Sequence, residues 1–343
     1  MAITDKKTGV WGLDQTFNKI NQGSIWTYSG TIQLKGTGRN NEGQLGLNDT
    51  TQRSSPTQVP GTWDANIASN TYSTIATKSD NTFWAWGKND YGQLGQNNKT
   101  NYSSPKQVGS DTTWSSVCGG DRCNHAIKTD GTLWSWGSNA YGTFGTNQFA
   151  APIASDGSTT KRSSPVQVPG TTWSKMPHRA YLSRYAIKTD GTLWAWGTGG
   201  WGTLGQNNTT QYSSPVQVGS DTTWSKFRVG DARTRIAVIK TDNTLWMWGT
   251  NGEGELGQNS TAVAAYSSPI QIPGSWDVIS MSYKASHGIK TDGTLWTWGR
   301  NSYGGLGLNN AGNPTRLSSP TQIPGSWTNA RGALQGTFLF ENA

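Results

Sequence analysis

The sequence predicts an all-β protein, a β-propeller of six blades with seven as the alternative, and three observations carry that prediction. One motif recurs six times: GTIQLKG at Gly30, NTFWAWG at Asn81, GTLWSWG at Gly131, GTLWAWG at Gly191, NTLWMWG at Asn243 and GTLWTWG at Gly293, at spacings of 51, 50, 60, 52 and 50 residues. With 44 Gly and 19 Trp in 343 residues and only 14% charged, the composition is too aromatic for disorder and too poor in charge for a helical bundle. Each period of about 50 residues also holds four short strand patterns, the content of one propeller blade.

Residues 1–29 match no copy of the repeat. Leu13, Phe17 and Ile20 sit at i, i+4 and i+7 ahead of Gly23, which predicts one short amphipathic helix ended by a glycine. With Trp11 and Trp26 on either side, these residues form a candidate attachment arm. Residues 30–343 are assigned to the propeller.

Within a copy the strands can be placed in order. A lone tryptophan (Trp63, Trp114, Trp173, Trp224, Trp276 or Trp327) opens the first strand. In the copy around Gly131, SSVCG is the first strand, HAIKT the second, TLWSW the third and VQV near Pro165 the fourth. Asp80, Asp130, Asp190, Asp242 and Asp292, each followed by Gly or Asn, predict a two-residue hairpin between the second and third strands. Side chains alternate along a strand, so the paired tryptophans share one face: Trp84 with Trp86, Trp134 with Trp136, Trp194 with Trp196, Trp246 with Trp248, Trp296 with Trp298. The mostly small residue between them thins the opposite face, so one blade's indoles are expected to pack on its neighbour as structural core.

The two ends supply complementary halves of a composite blade, 30–62 and 327–343. Counting from Trp327 as from Trp114 sets Phe338, Leu339 and Phe340 across from His125, Ala126 and Ile127. Pairing of the N- and C-terminal strands would then close the ring and leave no open sheet edge. In this reading Gln33 and Lys35 replace both tryptophans of the composite blade, with Ile32 and Leu34 on its other face.

Chemistry is sought and not found. There is no glycine-rich phosphate loop ending in Lys-Ser/Thr, no His-Glu-x-x-His and no paired Cys-x-x-Cys. His125 and His287 occupy the strand position of Tyr185, so they read as packed repeat residues, and His178 has no Cys or carboxylate close by in sequence. Cys118 and Cys123 are too few for a disulfide framework or a metal site and read as two thiols near a strand end. The expectation is a non-enzymatic protein with no cofactor and no metal. The net charge of +8 invites nucleic acid. Lys78, Lys128, Lys188, Lys240 and Lys290 each sit two residues before a turn aspartate, however, and this alternation of sign argues against a phosphate stripe. No apolar run of 18 residues predicts membrane insertion.

One copy breaks the symmetry. Between Gly145 and Ser163 lie seventeen residues, against seven in the copies before and after. Long loops without their own hydrophobic period are often functional, and Phe149, Pro152, Ile153, Lys161 and Arg162 offer apolar and cationic contact groups as partner-binding candidates.

The unit KTDGTLWAWG, followed by a segment such as YGQLG, Ser-Ser-Pro and Gln-Val, resembles the repeat of the regulator of chromosome condensation family. That resemblance implies a propeller, usually of seven blades. The family's founding member is a nucleotide exchange factor for a GTPase, but no extra segment here resembles its GTPase-inserting wedge. Gly9 to Trp26 resembles short Gly-x-Trp segments that precede domains of bacteriophage tail and other virion proteins. Together these resemblances make a phage virion component, at the tail or capsid surface and binding virion or host-surface proteins, the leading expectation for function and location. A bacterial, cytoplasmic interaction propeller is second, and a chromatin or GTPase regulator third.

Overall fold

The computed structural model describes residues 33–341 except 64–65, 70–71, 121, 149–160, 178–179, 230–233, 283, 302–303, 310–314 and 334–335. The helix expected near residue 13 and the attachment candidates Trp11, Leu13, Phe17, Ile20 and Trp26 therefore lie outside the described residues, as do Phe149, Pro152, Ile153 and His178.

The repeats fold as antiparallel sheets with strands in chain order. Blade 1 comprises Ile67–Ser69, Ser73–Thr77, Phe83–Gly87 and Tyr102–Gln107. Blade 2 comprises Trp114–Cys118, Cys123–Lys128, Leu133–Ser138 and Lys161–Val168. Blade 3 comprises Trp173–Lys175, Ser183–Lys188, Leu193–Gly197 and Tyr212–Gln217. Blade 4 (Trp224–Val229, Arg235–Lys240, Thr244–Thr250) and blade 5 (Ala285–Lys290, Leu295–Arg300, Arg316–Ile323) form one seven-stranded sheet, because the strand Ala265–Met281 supplies the outer strand of the first and the inner strand of the second. Two two-stranded sheets remain, Lys35–Gly38 with Arg53–Gln58 and Trp327–Ala333 with Gly336–Glu341. By chain order they correspond to the outer and inner halves expected of a split sixth blade, and they form two separate sheets.

The C-terminal half follows the expected register. Ala330 opposes Leu339 and Asn329 opposes Phe340, as Val117 opposes Ala126 and Ser116 opposes Ile127 in blade 2. The N-terminal half does not. Lys35 pairs with Gln58 and Gly36 with Thr57, where blade 1 pairs Trp84 with Gln107 and Ala85 with Lys106. The tryptophan positions of the split blade are thus Lys35 and Thr37, two residues later than Gln33 and Lys35. The GTI tripeptide mimics the repeat two residues out of step, whereas the loop RNNEGQLG sets the register: Asn40 aligns with Asn89, and the Asn40 and Asn89 side chains accept from Leu45 N and Leu94 N alike. A slip of two keeps every side chain on its own face, so hydrophobic alternation could not expose it.

The hairpin also differs from expectation. Ile127 opposes Leu133, and Lys128 N donates to Thr132 O, so three residues form the loop. Only the third has positive φ (Gly131, 78°), which is a three-residue turn with a left-handed closing position. Asn81 and Asn243 take that conformation at 59° and 65°, so Asn substitutes for Gly there. Asp130 is fixed by its own loop, accepting from Thr132 N and Thr132 Oγ1.

Packing is between blades. Trp136 is fully buried against Phe83, Ala85 and Leu94 of blade 1, with the Phe83 ring 5.3 Å away. Trp196 packs likewise on Cys118, Ile127 and Leu133 of blade 2, and Trp298 on Ala237, Leu245 and Met247 of blade 4. The second tryptophan of each pair also donates across the joint. Trp86 Nε1 reaches Gln44 O, Trp136 reaches Gln93 O, Trp196 reaches Thr143 O, Trp248 reaches Thr203 O and Trp298 reaches Glu255 O, at 2.7–3.0 Å. The first tryptophan of each pair is half-buried. Trp134 Nε1 donates to Thr132 Oγ1, and the Lys128 ammonium lies 4.4 Å over its ring and 4.9 Å over Trp114. Lys78, Lys188, Lys240 and Lys290 repeat this clamp.

The Ser-Ser-Pro element is explained by the joint as well. Asn97, held at φ 56°, donates its backbone N–H to Ser163 O of the next blade and accepts from Ser164 Oγ. Asn48, Asn207 and Asn259 make the same tie to Ser103 and Ser104, Ser267 and Ser268, and Ser318 and Ser319. The approach is close enough that a Cβ on Gly92 would stand 2.6 Å from Ser163 Cα, so only glycine fits.

Candidate protein-binding surface and axial cavity

The blade topology gives the disc two faces. The Asp-Gly turns and the starts of the first strands lie on one, the turn face. The loops after the third strands lie on the other, the loop face.

On the loop face the residue before the glycine of each GQLG-like loop is set beside the next blade. Five of these environments are defined among the described residues. Glu42 pairs with Lys88 at 3.6 Å. Tyr91 is covered by Arg122 and Lys161, 4.8 and 4.7 Å from its centroid. Glu253 draws in Lys284, Arg300 and Arg316 at 3.1, 3.8 and 3.7 Å. Tyr141 and Trp201, in the short 3-10 turns Ala140–Gly142 and Gly200–Gly202, instead face solvent, 38% and 58% exposed. Both hold left-handed backbone, φ 63° and 61°. An exposed aromatic in strained backbone gains little for stability, which makes these two adjacent blades the interaction candidate on this face.

The predicted partner-binding residues divide. Lys161, which opposes Ser138, is half-buried and committed to Tyr91, while Arg162 is exposed on the outer strand. Tyr141 and Trp201 were missed because their position was read only as part of a repeat segment. Its residues run Glu42, Tyr91, Tyr141, Trp201, Glu253, and exposed aromatics occupy it in blades 2 and 3.

On the turn face, the inner strands of blades 2 to 5 line an open cavity of about 390 Å³. Met176, Phe227 and Ile279 form its apolar lining, and Ser116, Lys175, Lys226 and Asp277 its polar one. Lys175 Nζ donates to Ser225 O of the next blade at 3.3 Å, and Lys226 Nζ meets Asp277 Oδ1 at 2.5 Å. Asn66 ties blade 1 to Ser115 O in the same way, at 3.0 Å.

The histidines are packed. His125 Nε2 lies 2.9 Å from Thr143 O and His287 Nε2 lies 3.0 Å from Gly305 O, at the position from which the Tyr185 hydroxyl donates to Thr203 O. Burial pushes the His287 imidazole down to about 4 and holds His125 well below its ordinary value. Cys118 and Cys123 are free and buried, and burial pushes the Cys118 thiol up to about 12, the opposite of a reactive thiolate.

Blades of four antiparallel strands, joined radially through tryptophans, define the class as a β-propeller. The chain carries repeats of the regulator of chromosome condensation (RCC1) type, matched at residues 80–127, 190–234 and 292–331. Among solved structures it is similar to human WBSCR16, at 18% identity and TM-score 0.71, covering 90% of this chain and 81% of that one. It is also similar to yeast RCC1 (Prp20) bound to Kap60, at 19% identity and TM-score 0.69, covering 88% and 76%. A further Prp20p structure, from Saccharomyces cerevisiae and described with its binding to Gsp1p and histones, gives 18% identity and TM-score 0.70 over 88% and 77%. Compared by sequence, no curated protein matches the chain.

Proposed function

We propose that this chain is a non-enzymatic, protein-binding propeller whose partner docks on the loop face of blades 2 and 3. The observation that carries the reading is Trp201, more than half exposed on a rigid blade joint, while Glu42, Tyr91 and Glu253 at the equivalent position are paired with charge. Rigid scaffolds present binding groups in this way, and exposed tryptophan and tyrosine are the side chains that most often anchor protein interfaces. The Prp20 structures concern a protein that binds other proteins, which supports the general reading. The repeat lysines are engaged with tryptophan faces, so the positive net charge does not by itself favour DNA.

The finer reading keeps the virion assignment, with residues 1–29 as the attachment arm and the long segment Phe149 to Arg162 as one outward contact. Its support is the sequence of those segments. Capsid and tail genes flanking the coding gene, and the protein in purified particles, are the expected observations; neither would leave a cellular interaction propeller. The docking surface is tested by Tyr141→Ser with Trp201→Ser. The variant should keep its melting temperature and lose the protein that wild type cross-links in purified particles or source cells. Retention of that protein at wild-type yield would refute the site.

A further inference from the structure

We propose that the turn-face cavity is a binding site for a carboxylate carried on a short apolar stem. The observations are independent of the loop face. Four successive inner strands build the cavity, so it is part of the rigid ring. Lysines occur in it at Lys175 and Lys226, while the equivalent strand position is Asn66 in blade 1, Ser116 in blade 2 and Val278 in blade 5.

The charges favour an anion. Among the described lining residues two ammonium groups face one carboxylate, Asp277, and each ammonium has three N–H donors. Lys175 uses one on a single carbonyl at 3.3 Å. Lys226 is held by Asp277, but both side chains are about half exposed, at 52% and 53%, and an ion pair so wet is weak. Exchanging the Asp277 carboxylate for an external one therefore costs little. Asp277 marks where a carboxylate sits, and Met176, Phe227 and Ile279 give the stem apolar contact that Asp277 itself is too short to make.

The carboxylate could come from a free organic acid or from an acidic side chain of a partner, and the same experiment separates them. Butyrate, butyramide, butylammonium and the blocked dipeptide acetyl-Leu-Glu-amide are titrated against the full chain by ligand-observed NMR. Butyrate or the dipeptide binds, the amide and the ammonium do not, and a dipeptide that binds tighter assigns a protein source. Lys175→Met and Lys226→Met each weaken binding at least fivefold, while Asp277→Asn, by removing the internal competitor, tightens it severalfold. Melting temperatures identify any variant that misfolds, and the Asp277→Asn sign does not depend on losing function. Equal binding of butyramide, affinity unchanged by both lysine substitutions, or no binding of either acid to wild type and Asp277→Asn would each overturn the proposal.

Discussion

Trp134 and Trp136 lie two residues apart on one strand, and the structure gives them different work. Consider Phe at each. At Trp136 the change removes two ring carbons from a fully buried site and an N–H that donates to Gln93 O at 2.8 Å. At about 0.8 kcal/mol per buried carbon, the apolar loss is roughly 1.6 kcal/mol. The lost hydrogen bond adds about 1 kcal/mol, at the low end because Gln93 O still accepts from Asn124 Nδ2. The sum is roughly 2–3 kcal/mol. Trp134 is half-buried, its N–H goes to a threonine hydroxyl that water can replace, and Phe keeps part of the attraction to Lys128. Its cost is roughly 1 kcal/mol. Guanidinium unfolding followed by circular dichroism should show Trp136→Phe with the lower midpoint at unchanged slope. Equal shifts for the two variants, or a Trp136→Phe cost below about 0.5 kcal/mol, would refute the claim that the inner indole spans the blade joint.

Closure is tested by a register. If the split blade is built like blade 2, Leu339 opposes Lys35 as Ala126 opposes Trp134, and cysteines at those two positions should form a disulfide detected by peptide mass spectrometry; two free thiols after air oxidation would place the ends elsewhere. Deleting residues 332–343 should lower the melting temperature or cause aggregation by exposing an edge, and an unchanged transition would mark an independent tail. Gly92→Ala should cost about 2–3 kcal/mol because its Cβ would meet backbone at 2.6 Å; Gly109→Ala, also at positive φ but with nothing within 4 Å, should cost about 1 kcal/mol, and equal costs in chemical denaturation would remove the close-approach argument. His287 is neutral in the fold and binds a proton more readily when unfolded, so its contribution is complete above about pH 6.5 and is lost as pH falls toward about 4. His287→Gln should flatten stability between those values, and an identical pH profile would show that the buried histidine is not responsible.

The strand order, the half blades and the inner tryptophans were legible because each rests on a strong local signal: aspartate before a left-handed turn, two indoles at period two, a lone tryptophan at a fixed offset. The split blade's register was not, because its tryptophans are absent and a two-residue slip preserves the face of every side chain. Only Asn40, which holds its loop through Leu45 N, fixes the count. Tyr141 and Trp201 carry no sequence signal of exposure; what distinguishes them is that, among the described residues, no cation covers them as Arg122 and Lys161 cover Tyr91, a comparison across blades. The axial cavity was illegible for a related reason. Lys175, Lys226 and Asp277 stand 51 and 51 residues apart and meet only because the ring curves.

The joints between blades have a mechanical consequence. At each one the tryptophan that opens the next blade donates its backbone N–H back to the preceding hairpin turn, Trp114 to Asn81 O, Trp173 to Gly131 O, Trp224 to Gly191 O and Trp276 to Asn243 O, at 2.8–3.3 Å. The chain crosses all four at a glycine of positive φ, Gly109, Gly170, Gly219 and Gly274, so the long strand Ala265–Met281 crosses the same kind of joint as its neighbours. A ring pulled or heated open should therefore show no preference among these four joints. New chain ends introduced by circular permutation should be accepted after Gly109, Gly219 or Gly274 alike.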